Sequence, residues 1–498
     1  MNSIYSQIIT AKNGTPIPVF TSGKTMESRY NPERDAQNLL DTITIENDAP
    51  GFFLVTGIGS GLFINLLSNK YPQAKIVALE NSDTDIDFLS KLESVNKARQ
   101  NQNIIFATIE NLFDTLIQNY LPARYGTFKV IEQKPWLLEN QKQASVINET
   151  VNKAIGIVSA DYSVQAHFGK LWLKNILENA ALCENISFDF PYSSKEELCK
   201  TAVVAAAGPS LEEFLEQNKN HFEDYYFIAT DTAFSTLSKY GITPELCVSI
   251  DGQNVSYNHF LGDTNRKTSF CFDLCANFSA AKMLSDSGSP VFFFCSGHPL
   301  AAAINNFGKH FLPVLFSGSG TVTITAVDLS LKLGFKNLIV PGADFSYPDG
   351  KTYSRGTYLE SLYNKSSNKI KPSEHTFCSL MYRTPLTELS ENRKTNQILN
   401  AYKTSFETYL LQNQVSFKTE NGVYKLVSTG TNTQLHFSSE PSFSLKAFLK
   451  YFSESKISDV EVLLLPYIAW LKKSDNYSNA NYEELVKLAF NTIVSYNI

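Results

Sequence analysis

The four residues Gly208, Pro209, Ser210 and Leu211 have the types and the spacing of an anion-binding turn. Gly208 permits a sharp turn without a Cβ clash, Pro209 fixes φ for a first helical turn, and Ser210 can satisfy free backbone donors. The unpaired N–H groups and the helix dipole then point at whatever lies in the turn. This pattern predicts a phosphate site, although an ordinary strand-to-helix turn would use the same residues.

The segments around this turn alternate in the manner of a parallel α/β sheet. Residues 202–207 are small and apolar, as in a strand buried on both faces, and an amphipathic helix with Phe214 and Leu215 follows. Strands and helices alternate from there to residue 344, which predicts helices on both faces of the sheet. The carboxyl ends of the strands then form the ligand crevice. Besides the turn, the residues expected at those ends are Asp231, Asp251, Gly252, His298, Ser319, Gly320, Thr321 and Asp344.

A second glycine turn lies closer to the N-terminus. A strand candidate over residues 51–56 is followed by Gly57-Ile-Gly-Ser-Gly61, a helix, a strand over residues 75–79 and Glu80. This order is typical of a Rossmann-like nucleotide or S-adenosylmethionine site. The short glycine motif also serves plain packing, and no catalytic cluster follows it before residue 150. We therefore interpret this region as a Rossmann-like domain with a vacant or lost pocket.

The composition is that of an ordinary globular protein. Of the 498 residues, 43% are hydrophobic and 18% are charged, and the net charge is −6. That charge argues against broad attraction to nucleic acid or to an anionic membrane. We see no secretory signal and no membrane-spanning stretch, so we expect a cytoplasmic protein. The seven cysteines are scattered without a C-x-x-C pair, which indicates reduced core thiols.

Length and changes in composition predict three domains and an α/β fold class. We expect a Rossmann-like domain over residues 1–145, a central parallel-sheet domain over residues 146–393 and a mainly α-helical domain over residues 394–498. Within the central domain, residues 346–386 are rich in Ser, Lys, Asn, Tyr and Thr. A polar segment of that length is typical of a lid over a site or of a disordered tip.

Several motifs together resemble the motility-associated factor (Maf) proteins over nearly the whole chain. They are the segments 28–35, 241–251 and 342–347, the Gly-Pro-Ser-Leu turn, and a helix with Gly169, Trp172, Asn175 and Asn179. The central domain also resembles 6-hydroxymethylpterin pyrophosphokinase-like proteins and, more distantly, bacterial lipo-oligosaccharide sialyltransferases. The resemblance implies a cytoplasmic, sialyltransferase-like enzyme that transfers a nonulosonic acid, of pseudaminic or legionaminic type, from a CMP-activated donor to Ser or Thr of flagellin, for flagellum assembly and motility.

The sialyltransferase comparison implies where the donor would bind. The turn from Gly208 to Leu211 matches the turn that holds CMP in that family, and residues 317–321 resemble its Ser-Gly turn before a helix. Tyr347 and Tyr353 match two tyrosines that act on the leaving phosphate, although the segment here has one extra residue. Asp231 stands where that family has an asparagine.

The same comparison implies which group takes the proton. His375 matches the family's base by its order in the lid, and His298 is a rival base. Transfer from CMP also requires that charge on the departing phosphate be stabilised, for which the turn amides, the two phenols and Arg355 or Lys351 are candidates. Since CMP is a monophosphate leaving group, we expect neither a metal nor another cofactor.

Two other functions fit the same residues. A pterin-type pyrophosphokinase would use the phosphate turn for ATP with magnesium, and a flagellin-binding protein would need no chemistry at all. Asp251 and Asp344 can also simply cap turns, and the tyrosines can simply pack the lid. For the favoured function the expected partners are flagellin and a CMP-nonulosonic acid, without nucleic acid or membrane.

Overall fold

The structure divides the chain into two compact units. The computed structural model describes residues 3–45, 50–185, 194–262, 267–430, 435, 443–477 and 480–496. Unit 1 consists of Met1–Gly169 and Leu464–Thr492, and unit 2 of Lys170–Leu463 and Ile493–Ile498. This grouping differs from the boundaries expected at residues 145 and 393. A helix runs without a break through residue 145, and strands beyond residue 393 join the central sheet.

Unit 1 contains a parallel four-stranded sheet. Strands β1 (Tyr5–Thr10) and β2 (Pro16–Phe20) first form an antiparallel hairpin. The sheet is built from β3 (Phe52–Thr56), β4 (Lys75–Glu80), β5 (Ile104–Thr108) and β6 (Phe128–Glu132). Its order is β5-β4-β3-β6, so the direction in which the strands are added reverses beside β3. Such a reversal opens a crevice between β3 and β6, where ligands bind in folds of this kind.

Among the described residues, seven helices alternate with these strands along the chain, and a long eighth helix follows them. They are α1 (Pro32–Asp41), α2 (Leu62–Lys70), α3 (Asp83–Leu89), α4 (Glu93–Arg99), α5 (Leu112–Asn119), α6 (Pro122–Tyr125), α7 (Lys134–Glu139) and α8 (Ala144–Cys183). Helix α1 begins as its sequence predicts, with Pro32 in the first turn and the Asn31 side chain accepting from the amide of Arg34. Strand β3 is fully buried, as expected for a central parallel strand.

Unit 2 contains an eight-stranded sheet, most of it parallel. The parallel strands are β7 (Thr201–Ala205), β8 (Tyr225–Thr230), β9 (Leu246–Ser249), β10 (Ser269–Asp273), β11 (Val291–Phe294) and β12 (Asn337–Val340). The order is β11-β10-β9-β8-β7-β12, and a C-terminal hairpin then pairs antiparallel with β12. The reversal here lies between β7 and β12, which predicts the ligand crevice at their carboxyl ends.

The lid segment is structured. It begins with β13 (Tyr347–Pro348), which pairs with β15 (Arg393–Thr395), which in turn pairs with β14 (Thr387–Ser390). Two helices lie between these strands, α14 (Tyr358–Ser366) and α15 (Ser373–Met381). The polar residues 346–386 therefore form a folded lid and not a structureless tip.

The remaining elements complete an α/β fold with a helical C-terminal region, as predicted. The hairpin consists of β16 (Val415–Glu420) and β17 (Val423–Ser428). The helices are α9 (Ser210–Asn218), α10 (Asp231–Lys239), α11 (Phe278–Asp286), α12 (Pro299–Phe307), α13 (Val322–Leu333), α16 (Gln397–Gln412), α17 (Leu445–Glu454), α18 (Ile457–Lys473) and α19 (Tyr482–Val494). Within the described residues, no helix combines the length and the apolar character needed to cross a membrane.

Candidate active site

The turns that follow β7 and β12 meet at the switch point of the central sheet. Ala206 N donates to Pro341 O and Gly208 N donates to Gly342 O, both over 2.9 Å. Gly342 has φ +81°, and a Cβ there would lie 2.1 Å from the carbonyl oxygen of Ala206. Only glycine fits such a close approach in that conformation. The two chain segments are therefore tied together directly beneath the crevice.

Ser210 and Asp344 form the centre of this junction. Asp344 Oδ2 accepts from Ser210 N over 3.1 Å and lies 2.9 Å from Ser210 Oγ. The same hydroxyl lies 3.1 Å from Gly422 O and accepts from Gly342 N over 2.9 Å. The first residue of α9 is thus bonded to the loop after β12 and to the turn of the C-terminal hairpin.

These contacts change the expected role of the Gly-Pro-Ser-Leu turn. The amides predicted to receive a phosphate already have partners in the chain: Gly208 N donates to Gly342 O, Ser210 N to Asp344, and Leu211 N to Gly208 O. Pro209 has no amide hydrogen. In this structure the anion at the start of α9 is therefore the carboxylate of Asp344, which nothing in the local sequence of the turn indicates.

Asp344 is held in an unusual electrostatic state. Burial raises its pKa to about 6, while the hydrogen bonds from Ser210 and the charge of Arg393 oppose that shift. Arg393 Nη1 lies 3.9 Å from Asp344 Oδ1, and this buried oxygen accepts no hydrogen bond among the described residues. The carboxyl can therefore change its charge in the range of mildly acidic pH.

A cavity of about 380 Å³ lies against this junction. That volume is within the range of small-molecule sites, about 300–1,000 Å³. Of the predicted site residues, the cavity brings together Gly208, Thr321, Asp344, Tyr347 and Tyr353. The residues lining it that sequence reasoning missed are Thr323, Thr352, Arg383, Thr384, Asn396 and Tyr402, among others.

Phenol groups form one wall of the cavity. Tyr347 Oη accepts from Asn396 Nδ2 over 3.2 Å, and the same amide group donates to Thr384 Oγ1 over 3.0 Å. Burial raises the pKa of Tyr353, and neighbouring phenols, Tyr347 first among them, raise it further. Burial likewise raises the pKa of Tyr402. All three phenols therefore stay protonated near neutral pH and can donate hydrogen bonds.

The start of α13 borders the same cavity. Thr321 is the N-cap residue and Thr323 lies in the first turn, and within the described residues the helix start has no side-chain capping hydrogen bond. Helix N-termini carry partial positive charge and free N–H groups, which suit an anion. Gly320 lies in the preceding 3-10 turn, Gly318–Gly320, whereas the side chain of Ser319 lies outside the described part of the structure.

The remaining predicted residues do not line this cavity. Asp231 begins α10 and accepts from Thr232 N over 2.7 Å and from Ser249 Oγ over 2.8 Å. Asp251 follows β9 and accepts from Gln253 N over 2.9 Å. Gly252 lies beside it, and its carbonyl accepts from Asn175 Nδ2 over 3.1 Å. Asp251 therefore caps a local turn, as the simpler interpretation of this residue expected, and Asp231 is held by partners at the start of α10.

Neither histidine predicted as the base occupies the cavity. His375 is exposed on α15 and does not line it. His298 caps α12, where its Nδ1 accepts from Leu300 N over 3.2 Å, and burial lowers its pKa to about 4. His298 therefore has a structural role at the start of a helix.

The N-terminal glycine turn is filled by side chains of its own unit. Ser60 N donates to Glu27 Oε1, and a Cβ on Gly59 would lie 2.0 Å from Met26 Cε and 2.4 Å from Glu27 Oε1. Burial raises the pKa of Glu27. The carboxylate of Glu27 therefore lies where a ligand's anionic group would meet the turn.

Glu80, the acidic residue at the end of β4, also has its partners within unit 1. Glu80 is fully buried and accepts from Tyr5 Oη, from Ile58 N and from the indole of Trp136, and burial raises its pKa to about 7. A Cβ on Gly57 would lie 2.7 Å from Trp136 Cγ. The indole thus packs over the crevice between β3 and β6, which agrees with the interpretation of a lost pocket.

Part of unit 2 is similar to a known protein family. Residues 170–350 match the model described as 6-hydroxymethylpterin diphosphokinase MptE-like. This match confirms the resemblance that the motifs of the central region indicate. It covers both turns of the switch point and the first strand of the lid, β13, but neither the lid helices nor the C-terminal hairpin.

Comparison with curated proteins and solved structures adds three similar chains. Two are uncharacterized proteins of Treponema pallidum (strain Nichols): one is 31% identical over 209 residues, 40% of this chain, and the other 35% identical over 142 residues, 28% of this chain. The chain spans 66% of the length of each, just under two thirds. The third is the solved MAf glycosyltransferase from Magnetospirillum magneticum AMB-1, with 12% identity, a TM-score of 0.49 and coverage of 99% of this chain and 91% of that chain.

Proposed function

We propose that this protein is a glycosyltransferase that moves a nonulosonic acid from a CMP-activated donor to Ser or Thr of flagellin. The observation that carries the proposal is the cavity at the switch point between β7 and β12, which combines phenols, a guanidinium and an uncapped helix N-terminus. Thr352 Oγ1 and Asp344 Oδ1 are buried there without a hydrogen-bond partner among the described residues. Buried polar atoms are normally paired, so these two favour a polar ligand.

The side chains suggest how such a donor would be held. The start of α13, with Thr321 and Thr323, would receive the phosphate of CMP, because the start of α9 is taken by Asp344. The phenols of Tyr347 and Tyr353 would donate to the phosphate oxygens as the bond to the sugar breaks and negative charge develops. Arg383 has no ion-pair partner among the described residues and would face the carboxylate of the sugar.

Intact-mass measurement of flagellin tests the proposal. Flagellin is co-expressed with a nonulosonate pathway, with or without this protein. We expect the mass of one or more nonulosonic acid residues on flagellin only when the protein is present. Unmodified flagellin, with all partners folded and the CMP-sugar detected in the cell extract, would contradict the proposal.

A second candidate is a pterin-type pyrophosphokinase, which the description of the matched family model favours. It would transfer diphosphate from ATP with magnesium. Thermal unfolding separates the two functions, because a ligand that binds only the native state raises the midpoint. Stabilisation by CMP and not by ATP with magnesium supports the transferase, and the reverse result supports the kinase. A flagellin-binding protein without catalysis would bind flagellin and leave its mass unchanged.

A further inference from the structure

A second cavity, of about 510 Å³, lies next to the first one and shares Asp344 with it. The chain passes from one cavity to the other at two places. Gly208 lines the first cavity and Pro209 the second. In the same way, Tyr347 lines the first cavity and Pro348 the second. The proposed contacts to the donor all lie in the first cavity, so the second is free for another ligand.

Two ion pairs in the second cavity are internal to the protein. Arg355 Nε lies 3.9 Å from Glu212 Oε2, and the backbone amide of Arg355 donates to Glu212 Oε1. Arg393 Nη1 lies 3.9 Å from Asp344 Oδ1. Each of these guanidinium groups therefore already has a carboxylate beside it.

Beyond those pairs, the second cavity has more carboxylates than cations. Glu213 and Glu216 occupy exposed positions of α9, and Asp349 is an exposed residue at the start of the lid. Lys351 is the one other basic residue among the described residues that line this cavity. Since the remaining charge is negative, the cavity favours a cationic ligand.

The lining of the second cavity suits an organic cation better than a metal ion. Within the described part of the chain, no three acidic, histidine or cysteine side chains are placed so that they could hold a metal. Pro209, Pro348 and the ring of Tyr240 line the cavity together with the carboxylates. A lysine or arginine side chain packs its methylene groups on apolar surface of this kind while its charged end binds carboxylates.

A buried acceptor in the wall of the second cavity also lacks a partner. The side chain of Asp344 is 2% exposed, and its Oδ2 accepts from Ser210 N, whereas Oδ1 accepts no hydrogen bond among the described residues. Oδ1 is directed towards Arg393 and the hairpin turn, where a Cβ on Gly422 would lie 2.2 Å from it. Arg393 and Asn421 line the second cavity. Because buried polar atoms are normally paired, this oxygen independently indicates that a ligand with hydrogen-bond donors binds here.

We propose that the second cavity binds the acceptor polypeptide through a lysine or arginine side chain close to the Ser or Thr that receives the sugar. This inference rests on the proposed transferase function. Glu213 and Glu216 bind the cation, and the neighbouring hydroxyl reaches the first cavity past Asp344. A transferase must hold its two substrates side by side, and the two cavities adjoin as that requires.

Reversal of one charge in the second cavity tests the inference. Glu216→Lys introduces a cation in the last turn of α9, where it suits the helix dipole, so the variant should fold. We expect the KM for flagellin to rise about 10-fold and to depend less on salt, while kcat stays within about threefold and CMP binds with unchanged affinity.

Glu223→Lys is the matched control. Glu223 is an exposed residue of the 3-10 helix Phe222–Asp224 and lines neither cavity. This variant should change the KM less than about twofold. A wild-type KM in Glu216→Lys, an equal rise in Glu223→Lys, or weaker binding of CMP to Glu216→Lys would overturn the inference.

A charge swap in the acceptor separates recognition from a structural effect. Peptide mass spectrometry first locates the modified Ser or Thr, and we expect a Lys or Arg within about five residues of it, a distance that a short extended segment spans. Its replacement by Glu should raise the KM of the wild-type protein and lower that of Glu216→Lys. A modified site without a nearby basic residue, or a swap that restores nothing, would refute the inference.

Binding without a donor keeps the two proposals apart. If the wild-type protein transfers no sugar, the proposed function fails, and the affinity of flagellin for the two variants then decides the inference by itself. Binding that is about tenfold weaker in Glu216→Lys than in Glu223→Lys supports the site, and equal affinities refute it. If the wild-type protein transfers sugar and Glu216→Lys does so with the same KM, the inference fails and the proposed function stands.

Discussion

The two glycine turns of this protein share a topology and differ in what covers them. Each follows a central parallel strand at the point where strand order reverses, β3 in unit 1 and β7 in unit 2. In each, a carboxylate from elsewhere in the same unit accepts a backbone amide of the turn, Glu27 at Ser60 and Asp344 at Ser210. Yet unit 1 has Trp136 packed over its glycine, whereas unit 2 has a cavity of about 380 Å³.

A glycine motif therefore specifies a backbone shape and not a ligand. The residues after the strand on the other side of the switch point decide whether space remains. After β6 the chain places an indole in the crevice. After β12 it places Gly342, Ala343 and a carboxyl group, and the space beyond them is lined by the lid. The turn that looks more like a standard nucleotide motif is the one that is filled.

The largest difference between the two turns is expected when the carboxylate at each of them is removed. Asp344→Ala leaves Ser210 without its partner and loosens its bonds to Gly342 and Gly422, so we expect sugar transfer to fall about 100-fold, as small displacements of a site can cause. Glu27→Ala should leave transfer within about threefold, because its turn borders no cavity that the reaction uses. Initial rates of flagellin modification measure both. Equal losses in the two folded variants would show that the turns do not differ in function.

A smaller effect is expected from removing one phenol in each unit. Tyr353→Phe deletes a donor in the cavity, and we expect transfer to fall about 10-fold or more while CMP still binds. Tyr5→Phe deletes a phenol that donates to Glu80 in unit 1, so it is the matched control and should change thermal stability but not transfer. Steady-state rates and unfolding midpoints are compared for the two variants. A larger loss of transfer in Tyr5→Phe would contradict the assignment of the cavity.

The smallest expected effect is the pH dependence of ligand binding beside Asp344. The pKa of Asp344 is raised to about 6 from 3.8, so its contribution to folding stability is full below the lower value and is lost as the pH rises through about 6. The ionised carboxylate repels a phosphate. Asp344→Asn should therefore bind CMP about threefold more tightly than wild type at pH 7.5 and equally at pH 5.5.

Isothermal titration calorimetry measures the affinity of each protein for CMP at both pH values. Because CMP changes its own protonation equally in both experiments, the ratio of the two affinities reports on Asp344. Glu80→Gln provides the matched variant in unit 1, where the pKa of Glu80 is raised to about 7. It should leave CMP affinity unchanged at both pH values. A constant ratio between wild type and Asp344→Asn across the pH range would argue that Asp344 does not face the phosphate.

The sequence predicts the strands, the turns and the α/β class well, because these depend on local patterns. The run of small apolar residues before Gly208 is a buried strand, and Asp231, Asp251 and Asp344 follow the carboxyl ends of β8, β9 and β12. Five of the predicted site residues line one cavity. These features follow from periodicity and from the known behaviour of parallel sheets.

The contacts within the site could not be predicted in the same way, because the residues that make them are distant in the chain. Asp344 pairs with Ser210 across 134 positions, and no local signal marks that pairing. Arg383 and Tyr402 line the cavity because the lid and α16 fold onto it. His375 matches the family's base only by its order along the chain, and that order does not determine the direction in which a helix presents its side chains.

The hydroxyl of Ser210 also sets a limit on when the protein can become active during its synthesis. It joins segments that are 132 and 212 positions away, at Gly342 and Gly422. A chain still growing on the ribosome therefore cannot complete the junction beneath the cavity until the hairpin turn has emerged. Since domains fold as their residues become available, the protein should form its candidate ligand site only after Gly422 has been translated.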